Sequence, residues 1–268
     1  MNKLAIHEVE CKSALSSSKL PGLSYSLNPY KGCQHNCCYC YVPNVLRIER
    51  KNWGCFVDVK KNISLILSKE LQKKKKGVVG VSTVTDPYQP IEKKYQLTRN
   101  CLKQLKKYEF AVCIQTKSSL ILRDMDILKE FKNVEIFFSF STINNKLQQI
   151  LEPDASSVKE RLRAVQICVD KTISTTVFFG PILPFMSEKD VKECITSFID
   201  HGASKIMIDS LNVKAGMNEN IKKNLVCDSK TYDLFVKNNE NIANNYLKIK
   251  KCIKKIGKEK NIEITDAF

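Results

Sequence analysis

NPYKGCQHNCCYCYVP, residues 28–43, packs four of the chain's twelve cysteines into eight positions, as Cys33-x3-Cys37-x2-Cys40 with Cys38 between them. The other eight (Cys11, Cys55, Cys101, Cys113, Cys168, Cys194, Cys227, Cys252) stand singly, without disulfide-like spacing, and read as small hydrophobes. The clustered set needs a chemical reason. Three thiolates on one tight arc can wrap a [4Fe–4S] cube, and Gly32 permits a sharp turn just before them. A cube capped by protein at all four irons only carries electrons, whereas three ligands leave one iron open. Zinc is the competing reading, because Cys33, His35, Cys37 and Cys40 offer four ligands. Structural zinc sites usually pair two knuckles about a dozen residues apart, and no second Cys-x2-Cys occurs. Cys38 is too close to Cys40 to span two irons well, and reads as packing.

Downstream of this loop the sequence alternates between apolar, β-branched runs and helical periodicity. A strand near 24–30 is followed by runs at 77–86, 110–117, 134–142, 172–182 and 204–211. Between them, helices are expected over 59–74, 91–107, 124–132, 157–170 and 187–201. Near-continuous apolar strands alternating with helices define an α/β protein with a parallel sheet. An open doubly wound sheet and a full or partial barrel of about six β–α units both fit this rhythm. No Gly-rich phosphate fingerprint links a strand to a helix, which argues against a nucleotide-binding open sheet. Polar residues gather at the strand ends: Thr85 and Asp86, Thr116 and Lys117, Ser139 and Ser141, Asp209 and Ser210. Barrel enzymes build their sites at strand C-termini. The division expected is a barrel over 1–216 and a Lys-rich helical extension over 217–268. In the extension, Leu247, Ile249, Ile253 and Ile256 form an apolar stripe that packs on the barrel.

Composition bounds the rest. Hydrophobic content of 43% and charged content of 27% are those of an ordinary globular chain, and no run of eighteen apolar residues occurs. The start, MNKLAIHEVECKS, carries acidic residues where a signal peptide has its apolar core, so a cytoplasmic location is expected. The net charge of +16 invites a nucleic-acid partner. Only six of the 44 basic residues are arginine, the better fork for phosphates and bases, so charge leaves that partner open.

On a cube with one open iron, the amino and carboxylate groups of S-adenosylmethionine (SAM) can chelate the vacant position. An electron entering the cluster then passes into the sulfonium C–S bond, releasing methionine and a 5′-deoxyadenosyl radical. NPYKGCQHNCCYCY resembles the signature of the spore photoproduct lyase-like branch of radical SAM proteins, many of them labelled DNA repair photolyases. The likeness continues through WGCFVDVKKN (53–62), VSTVTDPYQPIEKKYQLTR (81–99), IQTKSSLILRDMDIL (114–128), FSFST (138–142), LEPDASSVKERL (151–162), FFGPILP (178–184), DSLNVKAGM (209–217) and ITDAF (264–268). It implies a partial (β/α)6 radical SAM barrel with a small helical C-terminal extension, and the cluster and SAM at its C-terminal mouth. Cys33, Cys37 and Cys40 would hold the cluster. Tyr39 would lie against the adenine edge, Thr85 would receive the methionyl amino group, and Lys117 would pair with the SAM carboxylate. Ser139 would bind the ribose or the carboxylate. Asp86, Glu152 and Arg161 follow as further contacts, with Glu152–Arg161 reading equally as a structural pair. A low-potential donor such as flavodoxin or ferredoxin is implied, and no membrane.

The sequence also departs from the true lyase. Where the lyase has its hydrogen-returning cysteine, two residues before Thr85, this chain has Thr83, and the lyase's DNA-probing hairpin has no evident match. Cys113 and Cys55 are the nearest remaining hydrogen-donor candidates. The leading reading is hydrogen abstraction from an unidentified substrate, nucleic acid favoured over peptide or metabolite. The alternatives are a photoproduct lyase with a relocated hydrogen donor and a non-catalytic iron–sulfur protein.

Overall fold

β-branched and aromatic runs that bury both faces become central strands, and the order in which they pair decides between the two candidate architectures. The computed structural model describes residues 4–267, so Met1–Lys3 of the opening segment and Phe268 of the closing ITDAF motif lie outside it. Its strands are β1 (Ala5–Val9), β2 (Leu15–Ser17), β3 (Tyr25–Leu27), β4 (Tyr30–Lys31), β5 (Phe56–Lys60), β6 (Val78–Val81), β7 (Ala111–Thr116), β8 (Val134–Phe140), β9 (Ser174–Ile182), β10 (Lys205–Ser210) and β11 (Glu263–Asp266). Strands β3, β6, β7, β8, β9, β10 and β11 pair in that order, all parallel, with β2 antiparallel on the outer edge of β3. Strands that follow one another in space as they do in sequence wind in one direction, as in a barrel. A doubly wound sheet would reverse its order at a switch point. The edge strands β2 and β11 do not pair with each other, so the barrel is partial.

All six strands expected from the apolar runs are present. The differences lie between them. The helix expected over 59–74 is shorter, Ile63–Leu71, because FVDVK before it alternates buried Val57 and Val59 with half-buried neighbours and forms β5. The helix expected over 91–107 divides at Gln96, whose φ is 51°, into Glu92–Tyr95 and Leu97–Lys107. The buried Glu92 carboxylate accepts the N–H groups of Thr98 (3.0 Å) and Arg99 (3.2 Å), satisfying donors that open the second helix. Residues 119–124 form a 3-10 turn leading into the short helix Met125–Leu128. The helices Val158–Asp170 and Glu188–Asp200 both begin with capping boxes, on Ser157/Glu160 and Ser187/Asp190.

The Lys-rich tail forms helices Met217–Leu225, Ser229–Asn239 and Ile242–Lys260. Ile249, Ile253 and Ile256 are buried as their spacing requires, and the last helix packs on Glu188–Asp200; Leu247 is 52% exposed. After Asn261 the chain returns to the sheet, and β11 extends it beside β10.

A separate three-stranded sheet, ordered β1-β5-β4, supports the cysteine loop from below. Strand β4 ends directly before Gly32, whose φ is 88°. A Cβ there would meet the Phe56 carbonyl oxygen at 2.3 Å, so both the left-handed backbone and the close approach require glycine. Gly32→Ala is therefore expected to lower stability by about 1–3 kcal/mol, measured by denaturant unfolding of the metal-free protein, and to reduce iron uptake on reconstitution. An unchanged unfolding midpoint would contradict this.

Candidate functional site

The loop 33–40 is held by side chains from the segments after β3 and β6. Asn28 Oδ1 accepts the N–H groups of Thr83 and Val84 at 3.0 and 3.1 Å, which joins those segments. Gln34 N donates to Gln89 Oε1 (2.9 Å), and Ile91 N donates to Gln34 Oε1 (2.5 Å). Gln89 Nε2 reaches Gly32 O (3.3 Å) and Thr85 Oγ1 (2.9 Å), and the Thr85 hydroxyl donates to Gly32 O at 2.5 Å. On the far side, Cys38 N donates to Leu151 O at 2.9 Å and Asn220 Nδ2 donates to Cys38 O at 2.7 Å. Cys38 is 2% exposed and belongs to the main apolar core.

A cavity of about 120 Å³ lies at the C-terminal ends of β6, β7 and β8. Cys33, Cys37 and Cys40 border it together with Thr85, Lys117 and Ser139. The structure thus brings six of the seven expected cluster and SAM residues to one space. Tyr39, the seventh, sits behind it: its hydroxyl donates to Glu152, and Lys117 Nζ lies 5.7 Å from its ring centroid. All twelve thiols are free. Among the described residues, no group of three or more His, Cys, Asp or Glu side chains gathers closely enough to hold one metal ion. His35, the fourth zinc ligand considered above, turns its Nδ1 to Asp86 Oδ2 at 3.3 Å instead. A cube distributes its three thiolates over three irons and needs no such convergence on one ion.

Two buried carboxylates set the charge balance. Asp86 accepts hydrogen bonds from the Thr116 hydroxyl (2.7 Å), Lys117 N (2.8 Å) and Tyr88 N (2.8 Å), and it faces His35. Burial would raise its pKa, but His35 and these donors outweigh burial and hold it below the usual carboxylate range. Glu152 is fully buried and accepts from the hydroxyls of Tyr39 and Ser141, the latter at 2.9 Å. Burial is again outweighed, here by Arg161 and Lys117, so Glu152 stays ionised. Arg161 Nη2 lies 2.7 Å from Glu152 Oε2 without hydrogen-bond alignment, while Nη1 donates to Ser139 O at 2.7 Å. Lys117 differs from these groups: no carboxylate lies within ion-pair distance of its Nζ among the described residues. Burial acts to lower its pKa, yet Cys37, Glu152 and Asp86 together raise it, so it carries its charge at the cavity wall.

The two hydrogen-donor candidates are elsewhere. Cys113 borders a different, larger cavity of about 640 Å³ at the N-terminal ends of β7, β8 and β9, with Lys129, Lys132 and Lys171 on its rim. Cys55 Sγ donates to Lys51 O at 3.6 Å and does not border the cysteine cavity. Thr83 does border it. Sequence reasoning missed the braces Gln34, Gln89 and His35, and it missed Trp53, which also borders the cavity. The available signal for Trp53 was that it is the chain's single tryptophan, thirteen residues after Cys40.

The chain belongs to the radical SAM superfamily, whose family model matches residues 27–198. Its cofactors are those of the family, a [4Fe–4S] cluster and SAM, and the cavity's three thiols with one unpaired cation suit that pair. It is 36% identical to an uncharacterized protein of Methanocaldococcus jannaschii over 185 residues, covering 68% of this chain and 70% of the relative. Among solved structures, its fold is similar to that of a spore photoproduct lyase variant, with a TM-score of 0.72 at 14% identity over 98% of this chain and 82% of the other. A second lyase variant, with bound AdoMet and dinucleoside spore photoproduct, matches with a TM-score of 0.62 at 17% identity, over 82% of this chain and 66% of that one. No helix among the described residues is long and apolar enough to cross a membrane.

Glu152→Gln would leave Arg161, fully buried, without its anion. This variant is expected to lose about 3–5 kcal/mol in denaturant unfolding, whereas replacing both partners by apolar residues costs less. An equal loss in the single and double variants would refute an electrostatic role for the pair.

Proposed function

We propose that Cys33, Cys37 and Cys40 hold the cluster, that Lys117 binds the SAM carboxylate, and that the enzyme abstracts a hydrogen atom from a nucleic-acid substrate. When bound, the two cofactors supply reductive radical chemistry, and the chain's own residues position them and exclude water. The observation that carries the reading is the joint placement of three free thiols and one unpaired lysine on a single cavity wall. A zwitterionic ligand needs one cationic partner and several neutral ones. Lys117 supplies the charge, and Ser139, bridged to Gln115 Nε2 at 3.1 Å, offers a hydroxyl. Thr85 is committed to Gly32 O and Gln89, so it braces the loop as well as facing the cavity. An external one-electron donor such as flavodoxin or ferredoxin completes the reaction.

The nucleic-acid assignment is supported by the net charge of +16 and by the fold's likeness to a lyase solved with a dinucleoside photoproduct. Repair of that photoproduct is a different matter. A lyase must return a hydrogen atom to its final substrate radical. Among the described residues, the only thiols bordering the cavity are the three cluster cysteines, and Thr83 offers an O–H bond too strong to donate readily.

Anaerobically reconstituted protein should bind about four irons and give a reduced-cluster EPR signal that changes on adding SAM. Cys33→Ala, Cys37→Ala and Cys40→Ala should each abolish the signal, and Cys38→Ala should not. Lys117→Ala should keep its iron and weaken SAM binding by about 1.5–3 kcal/mol in equilibrium titration. Stoichiometric zinc without iron uptake, or unaltered SAM affinity in Lys117→Ala, would overturn the corresponding assignment. Given a spore-photoproduct dinucleotide, the reduced enzyme should release no repaired thymine pair.

A further inference from the structure

Trp53 is 5% exposed and sits apart from the main core, in a small apolar group with Cys33 and Val42 against which Cys40 packs. Its indole Nε1 is buried and has no hydrogen-bond partner among the described residues. A buried donor left unpaired is costly, so its partner must be sought in what the site binds. The indole borders the same cavity as Cys33, Cys37 and Cys40, and Cys40 packs against the group that Trp53 forms with Cys33 and Val42. A thiol is a weak acceptor, whereas a metal-bound thiolate carries charge and accepts more strongly.

Several contacts fix the ring's position. Trp53 N donates to Arg50 O at 3.1 Å, and Arg50 Nη1 donates to Cys40 O at 2.8 Å, so one residue ties the tryptophan backbone to the last cysteine. Gly54, with φ of 82°, lies so close to the loop that a Cβ would meet Asn36 Cγ at 2.3 Å. The tryptophan is therefore locked to the loop at both Asn36 and Cys40.

We infer that Trp53 donates its indole N–H to the Cys40 sulfur of the bound cluster and thereby raises the cluster's reduction potential. The inference rests on the reading that Cys40 is a cluster ligand. An electron added to the cube increases negative charge on the ligand sulfurs. A donor aimed at one sulfur therefore stabilises the reduced state more than the oxidised one. Trp53 is a positioning and tuning residue that acts through Cys40; it does not touch the substrate.

Redox titration of the EPR signal in reconstituted Trp53→Phe, which keeps an aromatic ring and loses the N–H, tests this directly. Iron content should match the parent protein. Reduction should be about tenfold less favourable at a given potential, which is about 59 mV more negative for one electron. Because the chain has one tryptophan, [15N]indole labelling marks this nitrogen alone. Pulsed EPR on the reduced, unsubstituted protein should show its coupling to the cluster. If Trp53→Phe does not fold, this second measurement decides alone. A cluster with unchanged potential and no 15N coupling would overturn the inference while leaving the cluster assignment standing. Failure of the parent protein to bind iron would remove the cluster assignment and the inference with it.

Discussion

Asp86 is the junction on which the site depends. It stands just past the end of β6, takes hydrogen bonds from the Thr116 hydroxyl and the Lys117 N–H at the end of β7, and faces His35 inside the cysteine loop. A buried carboxylate is tolerated only when its oxygens are well supplied with donors, so its partners are held in place as strictly as it is. Two strand ends and the loop are thereby locked together. The same hydrogen bond that satisfies Asp86 fixes the Lys117 backbone and sends its side chain into the space beside Cys37.

This arrangement also explains why Lys117 stays unpaired. The nearby acids are already supplied: Asp86 by its four neighbours, and Glu152 by Arg161, Tyr39 and Ser141. Lys117 keeps its charge because the ionised Glu152 and Asp86 lie nearby, yet among the described residues no carboxylate is within ion-pair distance of it. An anionic group entering the cavity meets a cation held ready. The three thiols are raised by burial in the metal-free protein, Cys33 to about 12, so any metal they held would have to displace their protons. The inferred pairing of Trp53 with Cys40 would act on that cysteine's sulfur.

Much of this was legible in the sequence. The strands were, because each is built around a largely buried apolar run, and the cavity was, because polar residues close those runs. Strands β1, β2, β5 and β11 escaped notice: none carries a continuous apolar run, and β11 is only four residues at the end of a Lys-rich tail. The break at Gln96 depends on Glu92 capping the next helix, a tertiary effect that periodicity cannot carry. Alternation along β7 places Cys113 on the face shared by Gln115 and Lys117, but parity fixes a face and not a height. Cys113 lies toward the N-terminal end of the barrel and borders another cavity. Tyr39 was expected against the adenine edge of the ligand; in the structure its hydroxyl bonds Glu152, a partner 113 residues away that the sequence did not announce. Braces such as Gln34, Gln89 and His35 were invisible because their partners lie 50 or more residues away.

The central claim is that this cavity holds SAM against a reducible cluster. Its most direct test is to reduce the reconstituted protein with dithionite under strict anaerobiosis, add SAM, and quantify methionine and 5′-deoxyadenosine. The account predicts that both appear together in equal amounts and that Cys37→Ala forms neither. A protein that carries a reducible four-iron cluster yet leaves SAM intact would contradict it.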